Sequence, residues 1–570
     1  MTLAADNELP TWHDPRHELL ERASGSAIGR PAWGNVTVVS IPNINIGTNR
    51  SDALIVGGGH NGLVAACYLA RAGFSVCLLE RYKEVGGAAF SEEIEGAPGH
   101  IASTGSYVLS LAPQKVIRDL DLMANGVELI KRDPRSFAPF ADGENGIVFW
   151  EDMDELVREI AHFSPKDAKA YPVYDAMIER ACEIMDRFIL RNPPSFAEFA
   201  AAFDRPGDDR VFKFMVLGSA ADIAEYYFES DIMQAAACAL GLIGTFRGPR
   251  DAGTGYVKLY HSMGMATGKR GQWAYLRGAM GSFTQALKRV ALSLGVDIRP
   301  SQEVARICTV GGIATGAVTK DGEEFHARIV LSNADPKRTY LKLVDQQDLP
   351  GAYIADIKGI QITSPVMKIN LATDRLPEYR ALAKRGYELG QKGGVHIGPS
   401  IDYLQRAYED ARQGRPSDWP FFSIHAQSAV DRTLAPVGKE TISIFTQFFP
   451  YDLAEGTWDE RRDEIAQHVL ARFAHYAPNM ADAEITAQVL APPDIEARFG
   501  LTGGHIFQGE LVPEQAFDMR PVPGSQSYEG PIRGLYLCGS GAWPGGCVMG
   551  APGHNAAHEA IAHLKAGRYD

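Results

Sequence analysis

Several functional classes are closed to this chain by what its sequence lacks. It has no basic excess: 56 lysines and arginines stand against 70 aspartates and glutamates, a formal net charge of -14. Binding a phosphate backbone needs a cationic surface, so a nucleic-acid partner is not expected. No apolar run approaches the ~18 residues of a membrane-spanning helix. The densest stretch, AAACALGLIG at 235–244, reads as a core helix, with a helix lying on a membrane surface as the alternative. The opening MTLAADNELP is acidic and has neither a secretory apolar core nor the arginines of a transit peptide. The seven cysteines are odd in number, and none stands at a CxxC or zinc-site spacing. That argues against a redox disulfide and fits small buried hydrophobes in a reducing, cytoplasmic setting. There is no internal repeat.

Glycine, by contrast, is plentiful, with 58 residues, and its placement carries the reading. ALIV at 53–56 is a short apolar strand. GGGHNG at 57–62 follows it, then an alanine-rich helix to Arg71 and a second strand, SVCLLE, ending at Glu80. G-x-G-x-x-G in a strand–turn–helix context is a dinucleotide-binding fingerprint. Gly57 permits the tight turn, Gly59 lets backbone approach a pyrophosphate, and Gly62 lets helix and strand pack. His60 and Asn61 open the helix, whose free N–H groups favour phosphate. Glu80 stands where a carboxylate accepts from a ribose diol and repels a 2′-phosphate, which disfavours NADP. Arg81 is either a charge partner for the pyrophosphate or a solvated surface arginine. Gly86, Gly87 and Ala88 bring a second stretch of backbone to the same place. A paired glycine at this distance distinguishes FAD folds of the glutathione-reductase type from NAD folds.

Two later segments complete the expected nucleotide fold. GAMGSFTQALKRVALSLGVDI at 278–298 is a glycine turn, helix and strand, and Val304 is placed to hold adenine through its backbone. Near the end, the strand LYLC leads into GSGAWPGGCVMGAPGHNAAHEAI at 539–561. Gly539, Gly546, Val548, Met549 and Gly550 are expected to face the flavin, with a helix N-terminus stabilising its reduced, negative ring edge. No second G-x-G-x-x-G lies between a strand and a helix, so no NAD(P)H domain is expected, and electrons would pass to oxygen or a quinone.

The expected fold is α/β: a glutathione-reductase-type Rossmann FAD domain interleaved with a mixed α+β substrate domain. The segments are an arm at 1–50, FAD-binding segments at 51–125, 278–345 and 526–570, and substrate-domain segments at 126–277, mainly helical, and 346–525, a mixed sheet. The arm, with its strand-like VTVVSI at 36–41, is a candidate for contact with a second subunit.

In this order the pieces resemble the phytoene desaturase-like flavoprotein superfamily from about Ser51 onward. The chain is most similar to the pyridine nucleotide-disulfide oxidoreductase domain-containing protein 2 family, through GTGYVKLYHSMG at 253–264, GQWAYLRGAMGSFTQAL at 271–287, VLSNADP at 330–336, SPVMKINLA at 364–372, LAP at 434–436 with IFTQFFPYDLA at 444–454, and PPDIEARFGLTGGHIFQGEL at 492–511. The resemblance implies FAD and hydride transfer from a hydrophobic, unsaturated or isoprenoid-like substrate. Other readings are an oxygen-using amine or alcohol oxidase, and a binding or assembly protein that keeps FAD with little turnover. The family's usual histidine–proline–triple-glycine corner here reads Trp543-Pro-Gly-Gly-Cys547, so Trp543 is expected either to stack on the flavin or to plug the core. Cys547 is either a thiol activated by the helix N-terminus or a small filler. His505 is the first choice for a substrate-side group. His60, Tyr260 and His261 are further candidates, and Arg520 is read as a substrate anchor or a structural cation.

Overall fold

The computed structural model describes residues 49–569, and VTVVSI lies outside them. Two seven-stranded sheets organise the body. In the first, Asp297–Arg299, Val76–Leu79, Arg50–Val56, Glu324–Ser332 and Leu535–Leu537 run parallel in that spatial order. Val76–Leu79 and the second half of Arg50–Val56 are buried throughout, which is why they read as continuous apolar runs rather than alternating ones. The hairpin Val304–Val310 and Ile313–Thr319 extends the sheet antiparallel, turning on Gly311 and Gly312 at φ 58° and 75°, as the sequence predicts.

Helices His60–Arg71, Gly281–Ser293 and Ala551–Lys565 cover this sheet. Their close approach depends on missing side chains. A Cβ on Gly62 would stand 2.2 Å from the Gly57 carbonyl oxygen, and one on Gly553 would stand 2.1 Å from that of Asn61.

The second sheet runs Ile485–Leu490, Val366–Thr373, Glu440–Gln447, Phe421–His425, Gly394–Ile397, Ser136–Pro139, Gly146–Phe149. Its pairings are antiparallel except Gly394–Ile397 against Ser136–Pro139. A layer of helices from residues 153 to 262 closes over it, led by Pro165–Ile189.

The stretch VFKFMVLGSAADIAEYYF at 211–228 is broken at Gly218, whose carbonyl accepts from the N–H groups of Gly253 and Gly255. The next helix, Ala220–Tyr227, restarts on a Ser219–Asp222 capping box. The GTGY motif opens a fully buried helix, Thr254–Ser262. The apolar run at 235–244 forms the end of helix Asp231–Ala239 and the turn after it, largely buried.

Candidate active site

Two cavities adjoin. The first is a groove of about 330 Å³ lined by the glycine loop, Glu80 to Glu84, Gly87, Ala88, Gln302 to Val304, Asn333 and Ser540. The second, of about 300 Å³, lies between the second sheet and the helical layer. They share His60, Ala88, Phe499, Leu501 and Ile506 as a common wall.

The groove is built by backbone. Gly59 and Gly86 form an isolated parallel bridge, Gly86 N–H donates to the Gly58 carbonyl, and a Cβ on Gly87 would lie 3.1 Å from Gly59 Cα. Asn333 Nδ2 donates to the Gly57 carbonyl at 3.2 Å and pins the loop from the far strand. Glu80 Oε2 accepts from Gly58 N–H at 2.7 Å and Oε1 from Tyr82 N–H at 2.9 Å. Burial raises its pKa, while these N–H donors favour the charged form. Val304 lines the same groove. Asn61 Nδ2 donates to Ser540 Oγ at 3.3 Å, tying the first segment to the last.

A flavin dinucleotide suits this shape. Side-chain-free positions bound the groove where a pyrophosphate would pass, and a carboxylate lines it beside Val304. Two groove side chains, Gln302 through Oε1 and Asn61 through Oδ1, keep buried oxygens without protein partners. His60 Nε2 is likewise unpartnered on the wall common to both cavities. Its ring bonds to the Cys547 backbone, and burial lowers its pKa to about 4, so it is neutral at physiological pH.

Some of the other sequence-predicted residues face the cavities and some do not. Cys547 and Val548 line the second cavity. The thiol, however, is not activated. Burial pushes its pKa up. Cys547 Sγ is 3.5 Å from His261 Nε2, and His261 Nδ1 is 2.9 Å from the Val257 carbonyl, so Nδ1 donates and Nε2 accepts from the thiol. Burial lowers His261 to about 4, leaving no cation to stabilise a thiolate. Gly546 and Met549 sit behind this wall, accepting from Tyr260 Oη through a carbonyl and a sulfur at 2.9 and 3.2 Å. Gly550 is the left-handed N-cap of the last helix, and Gly539 is pressed against the Asn333 carbonyl, 2.6 Å from a built Cβ.

Arg81 lines the groove, but its guanidinium donates to the Ala497 and Arg498 carbonyls at the end of helix Pro492–Phe499, which is a structural use. His505 lines neither cavity. Its Nδ1 accepts from Phe507 and Gly509 N–H groups, and its Nε2 lies 3.6 Å from Glu510. Arg520 is a buried staple that donates to the carbonyls of Phe507, Glu510 and Ser540, not a substrate anchor.

Trp543 is fully buried and also outside both cavities. Its Nε1 donates to the Phe188 carbonyl at 3.1 Å, and its ring packs on Phe517 at 5.5 Å. It plugs the core and does not stack over the groove. Trp543→His should therefore leave the flavin spectrum unchanged while costing about 3 kcal/mol in stability, as for other large-to-small core changes. Denaturant titration beside absorbance checks this; a shifted flavin band with unchanged stability would contradict the placement.

His60, His261 and Cys547, named from the sequence, line the second cavity, but the sequence reading missed its lysines, its arginines and its other two histidines. Lys368 stands in the fully buried strand Val366–Thr373. Its Nζ donates to the Ser103 carbonyl at 3.2 Å, to Ser443 Oγ at 2.7 Å and to Asn370 Oδ1. Burial lowers its pKa to about 7. Arg132, Arg135 and Lys258 also line the cavity, together with His396 and His425, and among the described residues no aspartate or glutamate does. A lysine within SPVMKINLA was the visible signal, since a charge in a continuous apolar strand needs a reason.

A family model for an NAD(P)-binding Rossmann-like domain matches residues 55–120. A mouse protein, pyridine nucleotide-disulfide oxidoreductase domain-containing protein 2, is 37% identical over 546 residues, covering 90% of this chain and 94% of its own. The lycopene-forming phytoene desaturase of Pantoea ananas is 24% identical, covering 88% and 96%. Among solved structures, putrescine oxidase bound to putrescine superposes with a TM-score of 0.56 at 16% identity, covering 91% of this chain and 99% of that one.

Proposed function

Since the chain belongs to the pyridine nucleotide-disulfide oxidoreductase domain-containing protein 2 family, we propose that it is an FAD-dependent oxidoreductase that dehydrogenates a hydrophobic, unsaturated or isoprenoid-like substrate. The observation that carries this reading is the shared wall. The groove runs from Glu80 and Val304 to His60, where it meets a largely apolar cavity, so residues along the groove would hold the dinucleotide and the cavity would hold the substrate. When bound, FAD supplies the hydride-accepting centre. The reading is FAD rather than NAD(P) because the groove continues past Gly87 and Ala88 to that wall, and because Glu80 opposes a 2′-phosphate. Disulfide chemistry is no part of the proposal, since all seven cysteines are free.

The chain's own residues do three things here. The second cavity holds the substrate between Tyr174, Phe228, Met233, Ala237 and Ile243 on the helical side and Phe445 on the sheet side, keeping water from the reacting carbons. Neutral His60 offers a hydrogen-bonding edge at the junction without adding charge. Lys368, near neutrality, takes up the proton that leaves the carbon beside the hydride donor. The cavity's cations, unopposed on its lining by any carboxylate, repel an ammonium group, which counts against an amine substrate. Electrons then pass to oxygen or a quinone.

The purified protein is expected to be yellow and to bleach anaerobically with an unsaturated lipid. Bleaching by a primary amine, with peroxide on re-aeration, would replace this reading with an amine oxidase. A colourless protein that does not take up added FAD would remove it.

A further inference from the structure

One end of the second cavity is built for charge, and the proposed reaction uses only Lys368 there, leaving Arg132 without a role. Arg132 is only 7% exposed and lines the cavity. Its Nε has no hydrogen-bond partner, and its guanidinium lies over the Tyr275 ring at 5.7 Å. Among the described residues it forms no salt bridge, whereas Arg135 has Glu151 at 3.8 Å. Lys368, the other cation on this side, donates only to uncharged oxygens. Two neighbouring histidines turn towards the same place. A Cβ built on Gly394 would lie 2.8 Å from Arg132 Nη1, 2.8 Å from His425 Cε1 and 3.3 Å from His396 Nε2, so the three side chains converge.

Electrostatics agree with the geometry. His425 is held far below its usual pKa, first by burial and then by the neighbouring charge of Arg132, with His396 and Lys368 acting in the same direction whenever they are protonated. Its Nδ1 and Nε2 are engaged by Tyr275 Oη at 2.9 Å and Ser423 Oγ at 2.8 Å, which fixes the ring. Burial lowers His396 to about 3, so it is a neutral group able to donate one N–H. A buried guanidinium without a carboxylate is costly unless something of opposite charge arrives. A planar carboxylate meets the guanidinium fork with two parallel hydrogen bonds.

We propose that the substrate is amphipathic, with a carboxylate bound by Arg132 and His396 and an unsaturated hydrocarbon tail reaching towards the wall shared with the groove. This rests on the second cavity being the substrate cavity of the proposed oxidoreductase. It narrows the substrate from a hydrocarbon to an unsaturated acid.

The test uses the FAD-loaded protein with linoleate, methyl linoleate and inorganic phosphate as probes, binding being read by equilibrium dialysis. Linoleate should bind at least tenfold more tightly than its ester, and phosphate should compete only weakly. In Arg132→Met the acid should fall to the ester's affinity while the ester is unchanged. Arg132→Lys should keep part of the preference. Acid and ester bound alike by the wild type, neither bound, or a preference that survives Arg132→Met would overturn the proposal. The wild-type ratio needs no variant, so a misfolded Arg132→Met does not blunt it. Absence of a flavin band, even after FAD is added, would instead count against the oxidoreductase reading, and dialysis reports independently of that band.

Discussion

Glu80→Ala should purify without bound flavin and bind added FAD at least about 100-fold more weakly than the wild type. The carboxylate does two jobs from one buried position. It accepts from Gly58 and Tyr82 N–H groups, holding the glycine loop and the following turn in register, and it lines the groove in which the proposed FAD would place a ribose. Alanine leaves both N–H donors unpaired, at about 1–3 kcal/mol for each, and removes the ribose contact. Glu80→Gln should lose less, because the amide oxygen can still accept one of those bonds. The ratio of visible flavin absorption to protein absorption reads the content, and quenching of flavin fluorescence reads the affinity. Wild-type content in the alanine variant would sink the assignment of this groove to the nucleotide.

Lys368→Met should behave in the opposite manner, with full flavin content and slow reduction. Proton transfer by a positioned side chain contributes about 10²–10⁴-fold, so anaerobic reduction by substrate should slow by about 100-fold or more. The pH dependence gives a sharper check. Burial lowers the Lys368 ammonium to about 7. Below that value the side chain is charged and cannot accept a proton; above it the neutral amine can. The wild-type rate of reduction should therefore rise with pH through about 7 and then level off, and the methionine variant should lose that inflection. A rate that falls as pH rises through the same range would mean that the charged form is the useful one.

The glycine-built groove was far more legible than the lining of the second cavity, for a physical reason. A dinucleotide is cradled mainly by backbone, and close backbone approach leaves glycines at fixed spacings along one short segment. Gly57, Gly59, Gly62 and Gly87 could be read that way before any fold was known. The parallel strands were equally plain, because burial on both faces writes them as unbroken apolar runs. The substrate wall has no such local signature. Lys368, His396 and His425 lie on three strands of the second sheet, Arg132 follows Leu129–Lys131 of a separate two-stranded sheet, and only the tertiary fold brings the four together. His505 misled because its glycine neighbours suggested access to a ligand, while for Trp543 the structure shows the second of its two expected roles, a plug in the core. The glycines around them admit other protein atoms: a Cβ on Gly504 would lie 2.3 Å from the Pro492 carbonyl oxygen, and one on Gly546 would lie 2.4 Å from the Phe507 ring.

The bond from Asn61 to Ser540 joins residues 479 positions apart. The last strand, Leu535–Leu537, docks on Glu324–Ser332, and the final helix crosses the first at Gly553. The glycine loop and the segment that completes its surroundings are thus made far apart in time, and until residues 535–565 have docked the sheet is unfinished and must be kept from pairing with other chains.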